Sequence, residues 1–172
     1  MSRFADVVTP RLKLTAVAMD DLEEFHALHS DPVLFRHAPE VQHPDREHSE
    51  SVIGLFVDDW CRWDLGYWSV RDLHTGVYLG CGGVRRNEVN WNAYYRFHRA
   101  AWGHGYAVEV VQAAAACAEM IEPGALLQAV MRPSNPASRR VAERLGMVFC
   151  GTQPDHAGID DLVYQQFARE LS

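Results

Sequence analysis

The segment Arg99-Ala100-Ala101-Trp102-Gly103-His104-Gly105-Tyr106-Ala107 constrains this chain most, because a Gly-x-Gly turn there joins a strand-like run to a long alanine-rich helix. The first amide hydrogens of a helix have no partner within it. The helix dipole adds partial positive charge at the same end. Two glycines remove the side chains that would hold an anion away from the backbone. The combination suits a phosphate or pyrophosphate. Taken alone, it suits a tight turn equally well. The dinucleotide fingerprint is excluded, since it needs a third glycine and an early strand-helix-strand unit. A Walker loop is excluded because no Gly-Lys-Ser/Thr follows.

The rest of the chain supplies context for that turn. Arg11 to Val17 alternates like a strand. A helix follows, with Asp20 and Asp21 in its first turn and Leu22, Phe25 and Leu28 on one face, until Asp31-Pro32 ends it. A second helix starts near Pro44-Asp45 and runs to about Arg62, burying Val52, Ile53, Phe56 and Trp60. Tyr67 to Arg71 and Tyr78 to Val84 flank turn residues and read as an antiparallel hairpin. Trp91 to His98 continues the meander. Gly80, Gly82 and Gly83 inside a strand suggest a bulge or a close approach by another chain.

The long helix covers about Tyr106 to Ile121, and Pro123-Gly124 ends it. Leu126 to Met131 reads as a buried strand. Asn135 to Leu145 reads as a helix capped by Asn135 and closed by Gly146. Met147 to Gly151 and Leu162 to Ala168 read as final strands. The expected class is α+β: a mixed, mostly antiparallel sheet flanked by helices, with a central parallel strand pair after the crossover. With no repeat or linker, residues 1–172 read as a single domain.

The formal net charge of -7 argues against a nucleic-acid partner, which needs a basic footprint. The apolar run near Val110 to Ala118 is too short for a bilayer. The N-terminal residues lack the apolar stretch of a signal peptide. A soluble, cytoplasmic protein is expected. Cys61, Cys81, Cys117 and Cys150 are widely spaced, so free thiols are expected rather than a zinc site or disulfide framework. No histidine, His26 and His29 included, has a partner spaced for a metal, so none is expected to bind one; such residues more often decorate surfaces.

A second segment makes the first specific. About thirty residues after the turn comes Asn135-Pro136-Ala137-Ser138-Arg139-Arg140-Val141-Ala142-Glu143-Arg144-Leu145-Gly146-Met147. Together the two segments resemble the GNAT N-acetyltransferase superfamily, with Met147 where that family usually has Phe. Thr9-Pro10-Arg11-Leu12-Lys13-Leu14 and Trp102 to Glu109 resemble, more finely, the RimJ/RimL-like branch that acetylates N-termini of ribosomal proteins. The resemblance covers residues 9 to 168.

That resemblance implies a function and a set of residues. Acetyl-CoA would be the cosubstrate, and the acetyl group would pass by direct attack to a primary amine, on a protein N-terminus or a small molecule. The parallel strand pair would splay around the cofactor. Trp102 and the backbone of Gly103, His104, Gly105, Tyr106 and Ala107 would hold the pyrophosphate. The strand end at Phe97 and His98 would pair with the pantetheine. Asn135 and Ser138 would contact the cofactor arm, and Arg139 or Arg140 the adenosine 3′-phosphate. Glu109 needs no chemistry beyond the helix dipole. A homodimer is plausible on the same ground.

The chain departs from the family at both usual proton carriers. Asn92 stands where a glutamate base is common, with Tyr94-Tyr95-Arg96 replacing Gly-Tyr-Trp, and Ala142 stands where a tyrosine acid is common. His98 and Glu88 are the candidate substitutes, acting directly or through water. The departures leave a second reading open: an acyl-CoA-binding sensor or scaffold with reduced catalysis. Trp60, Trp63, Trp68, Tyr94 and Tyr95 could line the acceptor groove, core packing being the better reading for Trp68. Adjacent tyrosines on a strand face opposite ways.

Overall fold

The computed structural model describes residues 2–155 and 158–171, so Met1 of the N-terminal segment lies outside it. Its sheet has the order β1-β2-β3-β4-β5-β6-β8-β7. The strands are β1 (Asp6–Val8), β2 (Leu12–Ala16), β3 (Tyr67–Asp72), β4 (Tyr78–Arg86), β5 (Trp91–Phe97), β6 (Leu126–Met131), β7 (Val148–Pro154) and β8 (Asp160–Phe167). Four α-helices accompany it: α1 (Leu22–His29), α2 (Arg46–Trp63), α3 (Tyr106–Ile121) and α4 (Pro136–Arg144). The expected α+β class holds. Sequence reading missed β1, which pairs with β2 from Asp6↔Thr15 to Val8↔Lys13. It is short and half-exposed, with too little alternation to register.

Helix starts follow local chemistry. Asp45 caps α2 by accepting from the His48 amide at 2.8 Å, so Pro44 lies just outside the helix. Asn135 caps α4 by accepting from the Ser138 amide at 3.2 Å. Asp21 does more than favour the dipole of α1. It accepts from the Ser69 hydroxyl at 2.7 Å and from Arg71 at 3.2 Å, which fixes α1 on β3.

The glycines of β4 mark a close approach, as expected. A Cβ on Gly80 would stand 2.1 Å from the Arg96 carbonyl oxygen on β5. The register with β3 shifts at the same point, from Val70↔Gly80 to Arg71↔Tyr78, which leaves Leu79 as the bulged residue.

Alternation along β5 assigns the two faces. Trp91 donates from Nε1 to Glu122 just beyond α3, and Phe97 packs near Tyr106, so odd-numbered residues face α3 and α4. Tyr94 contacts His29 of α1, so even-numbered residues face α1 and α2. Tyr94 and Tyr95 therefore point to opposite faces. Trp68 is fully buried and donates to the Phe4 carbonyl, confirming its core role.

The parallel pair is short. β5 meets β6 at Trp91↔Leu127, Asn92↔Gln128 and Ala93↔Ala129 only. Beyond Ala93 each strand keeps its outer neighbour: β5 stays paired with β4 to Phe97, and β6 stays paired with β8 to Met131. The sheet splits between them, and one edge of β5 is left without a strand.

Candidate active site

A cavity of about 510 Å³ occupies that split. Its walls come from Tyr95, Arg96 and Phe97 of β5, Ala101 to Gly103 with Gly105 and the first turn of α3, one side of α4, and the segment after α1. Gly103 and Gly105 have φ of 80° and 79°, a conformation natural to glycine, and they turn the chain into α3 without a side chain over its first amides. Antiparallel alternation settles which backbone groups of β5 face the opening. The His98 amide donates to Leu79 on β4 at 2.9 Å, so the amides of Phe97 and Tyr95, one and three residues before it, face the split.

Most of the residues expected to bind cofactor surround this cavity. Phe97, Trp102, Gly103, Gly105, Tyr106, Ala107, Asn135 and Ser138 all line it. Trp102 is anchored by its Nε1 donating to the Phe97 carbonyl at 2.9 Å. Ser138 is tied to β5, since its carbonyl accepts from the Tyr95 hydroxyl at 3.3 Å. Burial pushes that phenol up to about 12, so it stays protonated.

Two assignments need correction. The His98 amide is spent on Leu79, its carbonyl accepts from Ala101, and its ring lies against Tyr78, so it can neither pair with a ligand in the split nor face one. Arg139 points outward and pairs with Glu143 at 3.2 Å, whereas Arg140 and Arg144 line the cavity. For His104 the expectation concerned the backbone amide; its ring stacks beside Tyr106 and its carbonyl accepts from Arg11 at 2.7 Å.

Glu88 is likewise misplaced as a catalyst. It is exposed at the tip of the β4–β5 hairpin, outside the cavity wall, at the opposite end of β5 from His98. Of the five aromatics suggested for the groove, only Tyr95 lines the cavity. Trp60 is buried and donates to the Tyr67 carbonyl, and Trp63 lies on the surface at the end of α2. Asn92 faces α1 and α2, and its Oδ1 is buried without a hydrogen-bond partner.

The structure adds groups that sequence reading passed over. Arg36 and His37 reach the cavity from the segment after α1, where no periodicity signals them. Arg36 donates from Nε to His37 Nε2 at 3.0 Å. Partial burial and the neighbouring Arg36 charge both lower the His37 pKa, which favours the neutral ring. Arg96 also lines the cavity.

Glu109 has a structural task beyond the helix dipole. Its carboxylate accepts from the Thr9 hydroxyl at 2.6 Å and the Arg11 amide at 3.0 Å, and pairs with the Arg11 guanidinium at 2.6 Å. Burial acts to raise its pKa, but the Thr9 and Arg11 hydrogen bonds outweigh burial and hold it low. Arg11 also lies over Tyr106, 4.8 Å from the ring centroid. The β1–β2 turn is thereby fastened to the Gly-x-Gly turn.

A strand split that exposes backbone donors, closed at one end by a glycine turn and a free helix start, can take an elongated ligand with an anionic end. Residues 11–148 match the acetyltransferase (GNAT) domain family, and this chain belongs to that family. It is an acyltransferase by that membership. The chain is 29% identical over 159 residues to the protein YkkB of Bacillus subtilis (strain 168), covering 88% of this chain and 90% of YkkB. The fold matches a solved structure from Vibrio cholerae described as a putative ribosomal-protein-serine acetyltransferase, with TM-score 0.78, 22% identity and coverage of 97% and 99% of the two chains. It also matches RimL, the ribosomal L7/L12 alpha-N-protein acetyltransferase solved with coenzyme A, with TM-score 0.78, 15% identity and coverage of 94% and 96%.

Proposed function

We propose that residues 1–172 form one N-acetyltransferase domain that moves the acetyl group of acetyl-CoA to a primary amine by direct attack. The observation that carries this reading is the split beyond Ala93 and Ala129, bordered by the free first amides of α3. A pyrophosphate fits those amides, with Arg140 and Arg144 beside it. The pantetheine arm would run along the open edge of β5, and its thioester would stop where the strands rejoin. The coenzyme A in RimL supports this cosubstrate, and both ribosomal-protein acetyltransferases support a RimJ/RimL-like acceptor.

The chemistry needs a free amine, a polarised carbonyl and a protonated leaving thiolate. The ammonium first loses a proton. The amine nitrogen then forms the C–N bond, the C–S bond breaks with its electron pair on sulfur, and the proton shed by nitrogen goes to sulfur. Holding the partners together supplies much of the rate. Asn92 has no proton to exchange. His37 lines the cavity with its pKa lowered, and would take the ammonium proton at Nε2 by giving up the hydrogen bond from Arg36, in place of His98 or Glu88.

The test is CoA release from acetyl-CoA with peptides, polyamines, amino acids and aminoglycosides, between pH 5 and 9. The wild type is expected to release CoA with at least one class, and His37→Gln to lose the acidic limb of the pH profile. Acetyl-CoA binding without release to any amine would leave the sensor reading in place of the enzyme.

A further inference from the structure

Among the described residues, Arg96 is a cation without a counter-ion. Among the described residues, the other arginines that are not exposed, Arg71, Arg85, Arg86 and Arg132, each pair with a carboxylate. Arg96 has none within ion-pair distance, yet it is partly buried and lines the cavity. An incompletely hydrated guanidinium facing a cavity without an anion is costly unless a ligand brings one.

Its geometry is fixed in advance. Arg96 Nη1 donates to the Leu34 carbonyl at 2.6 Å, and Nε donates to the Tyr94 hydroxyl at 3.1 Å. The guanidinium lies over Phe35, 3.8 Å from the ring centroid. Tyr94 is itself locked. His29 Nδ1 is 2.8 Å from the Phe25 carbonyl, which can only accept, so Nδ1 carries the hydrogen. His29 Nε2 is then the acceptor for the Tyr94 hydroxyl at 2.9 Å. The Tyr94 oxygen must therefore use its lone pairs toward Arg96. Among the described residues Nη2 has no hydrogen-bond partner, and it remains for a ligand.

Position decides which ligand. Arg96 is an even-numbered residue of β5 and faces α1 and α2, whereas the free amides of α3 and Arg140 and Arg144 of α4 belong to the opposite face. Phosphate charge is served on that opposite face. We infer that Arg96 binds a carboxylate carried by the acceptor, so that the preferred acceptor is an amine with a carboxylate close by, such as an amino acid or a short peptide. This inference rests on the acetyltransferase reading above.

The test compares CoA release with α- and ω-amino acids against release with their carboxamides, for the wild type and Arg96→Gln. Taking the ratio between enzymes cancels the different basicities of the two amines. The acid-over-amide preference in kcat/KM is expected to fall at least about 10-fold in Arg96→Gln. Arg96→Lys, which keeps the charge, is expected to retain part of it. The Kd for acetyl-CoA, measured by calorimetry, is expected to stay within about threefold, since a group that meets only the acceptor does not contribute to cofactor binding. An unchanged preference overturns the inference. So does a weakened acetyl-CoA Kd with the preference intact, which would place a cofactor phosphate on Arg96. A wild type that turns over no amine overturns the acetyltransferase reading and this inference with it, and is distinguished by having no rate to compare.

Discussion

Lowering the pH from 6.5 to 4.5 is expected to remove about 2 kcal/mol of stability through His29 alone. His29 is 3% exposed, and burial is the main cause that drives its pKa from 6.5 to about 3. His43, stacked on it at 4.8 Å between centroids, is lowered to about 4, again chiefly by burial. A histidine held neutral contributes stability that is complete above its unfolded pKa. That stability is lost as pH falls from 6.5 toward the folded value, because the unfolded chain then binds more protons. The groups facing His29 are His26 on its own helix, His43 before α2, and Tyr94 and Arg96 on β5. None is a carboxylate that could favour the charged ring. Urea unfolding at pH 7 and 4.5 measures the loss. His29→Gln should roughly halve the difference, and a wild type equally stable at both pH values would contradict the assignment.

Gly80→Ala is expected to cost about 3 kcal/mol or more. The new methyl would meet the Arg96 carbonyl oxygen at 2.1 Å and the Phe97 Cα at 2.8 Å. Both are backbone atoms of the strand that borders the cavity, so relief requires moving β5 itself. Gly82→Ala meets its nearest atom at 3.1 Å and should cost less. Gly54→Ala meets nothing within 4 Å in the middle of α2 and should stabilise by about 0.5–1 kcal/mol. Denaturant midpoints of the three variants test the order. A Gly80→Ala protein within about 1 kcal/mol of wild type would show that the two strands do not touch as closely as described.

The order of elements and most of the cavity lining around the start of α3 were legible because they depend on local rules. Gly-x-Gly before an alanine-rich run, Asn135 before a helix and glycines inside a strand each announce a backbone geometry. The Thr9 to Leu14 opening and Glu109, noticed only as family pattern, turn out to be bonded to each other. Tertiary pairing decided the rest. His29 is seven residues after Leu22 and four after Phe25, on the buried stripe of α1, a spacing that could have marked it as core. The partners that make it neutral come from distant segments. His98 and Glu88 looked usable because sequence shows neither the hydrogen bonds that occupy a backbone group nor the length of a hairpin. Arg96 looked like an ordinary strand residue because the absence of a counter-ion is visible only in three dimensions.

The central claim is that acetyl-CoA binds in the split between β5 and β6, with its phosphates on the start of α3. Calorimetric titration of acetyl-CoA into the wild type and into Gly105→Val tests it most directly. Gly105 has φ of 79°, so valine there strains the turn that presents the α3 amides. The expected result is one binding site per wild-type chain and affinity at least about 10-fold weaker in a variant that remains folded by circular dichroism. Wild-type protein that binds no acetyl-CoA, or a folded variant that binds it equally well, would contradict the claim.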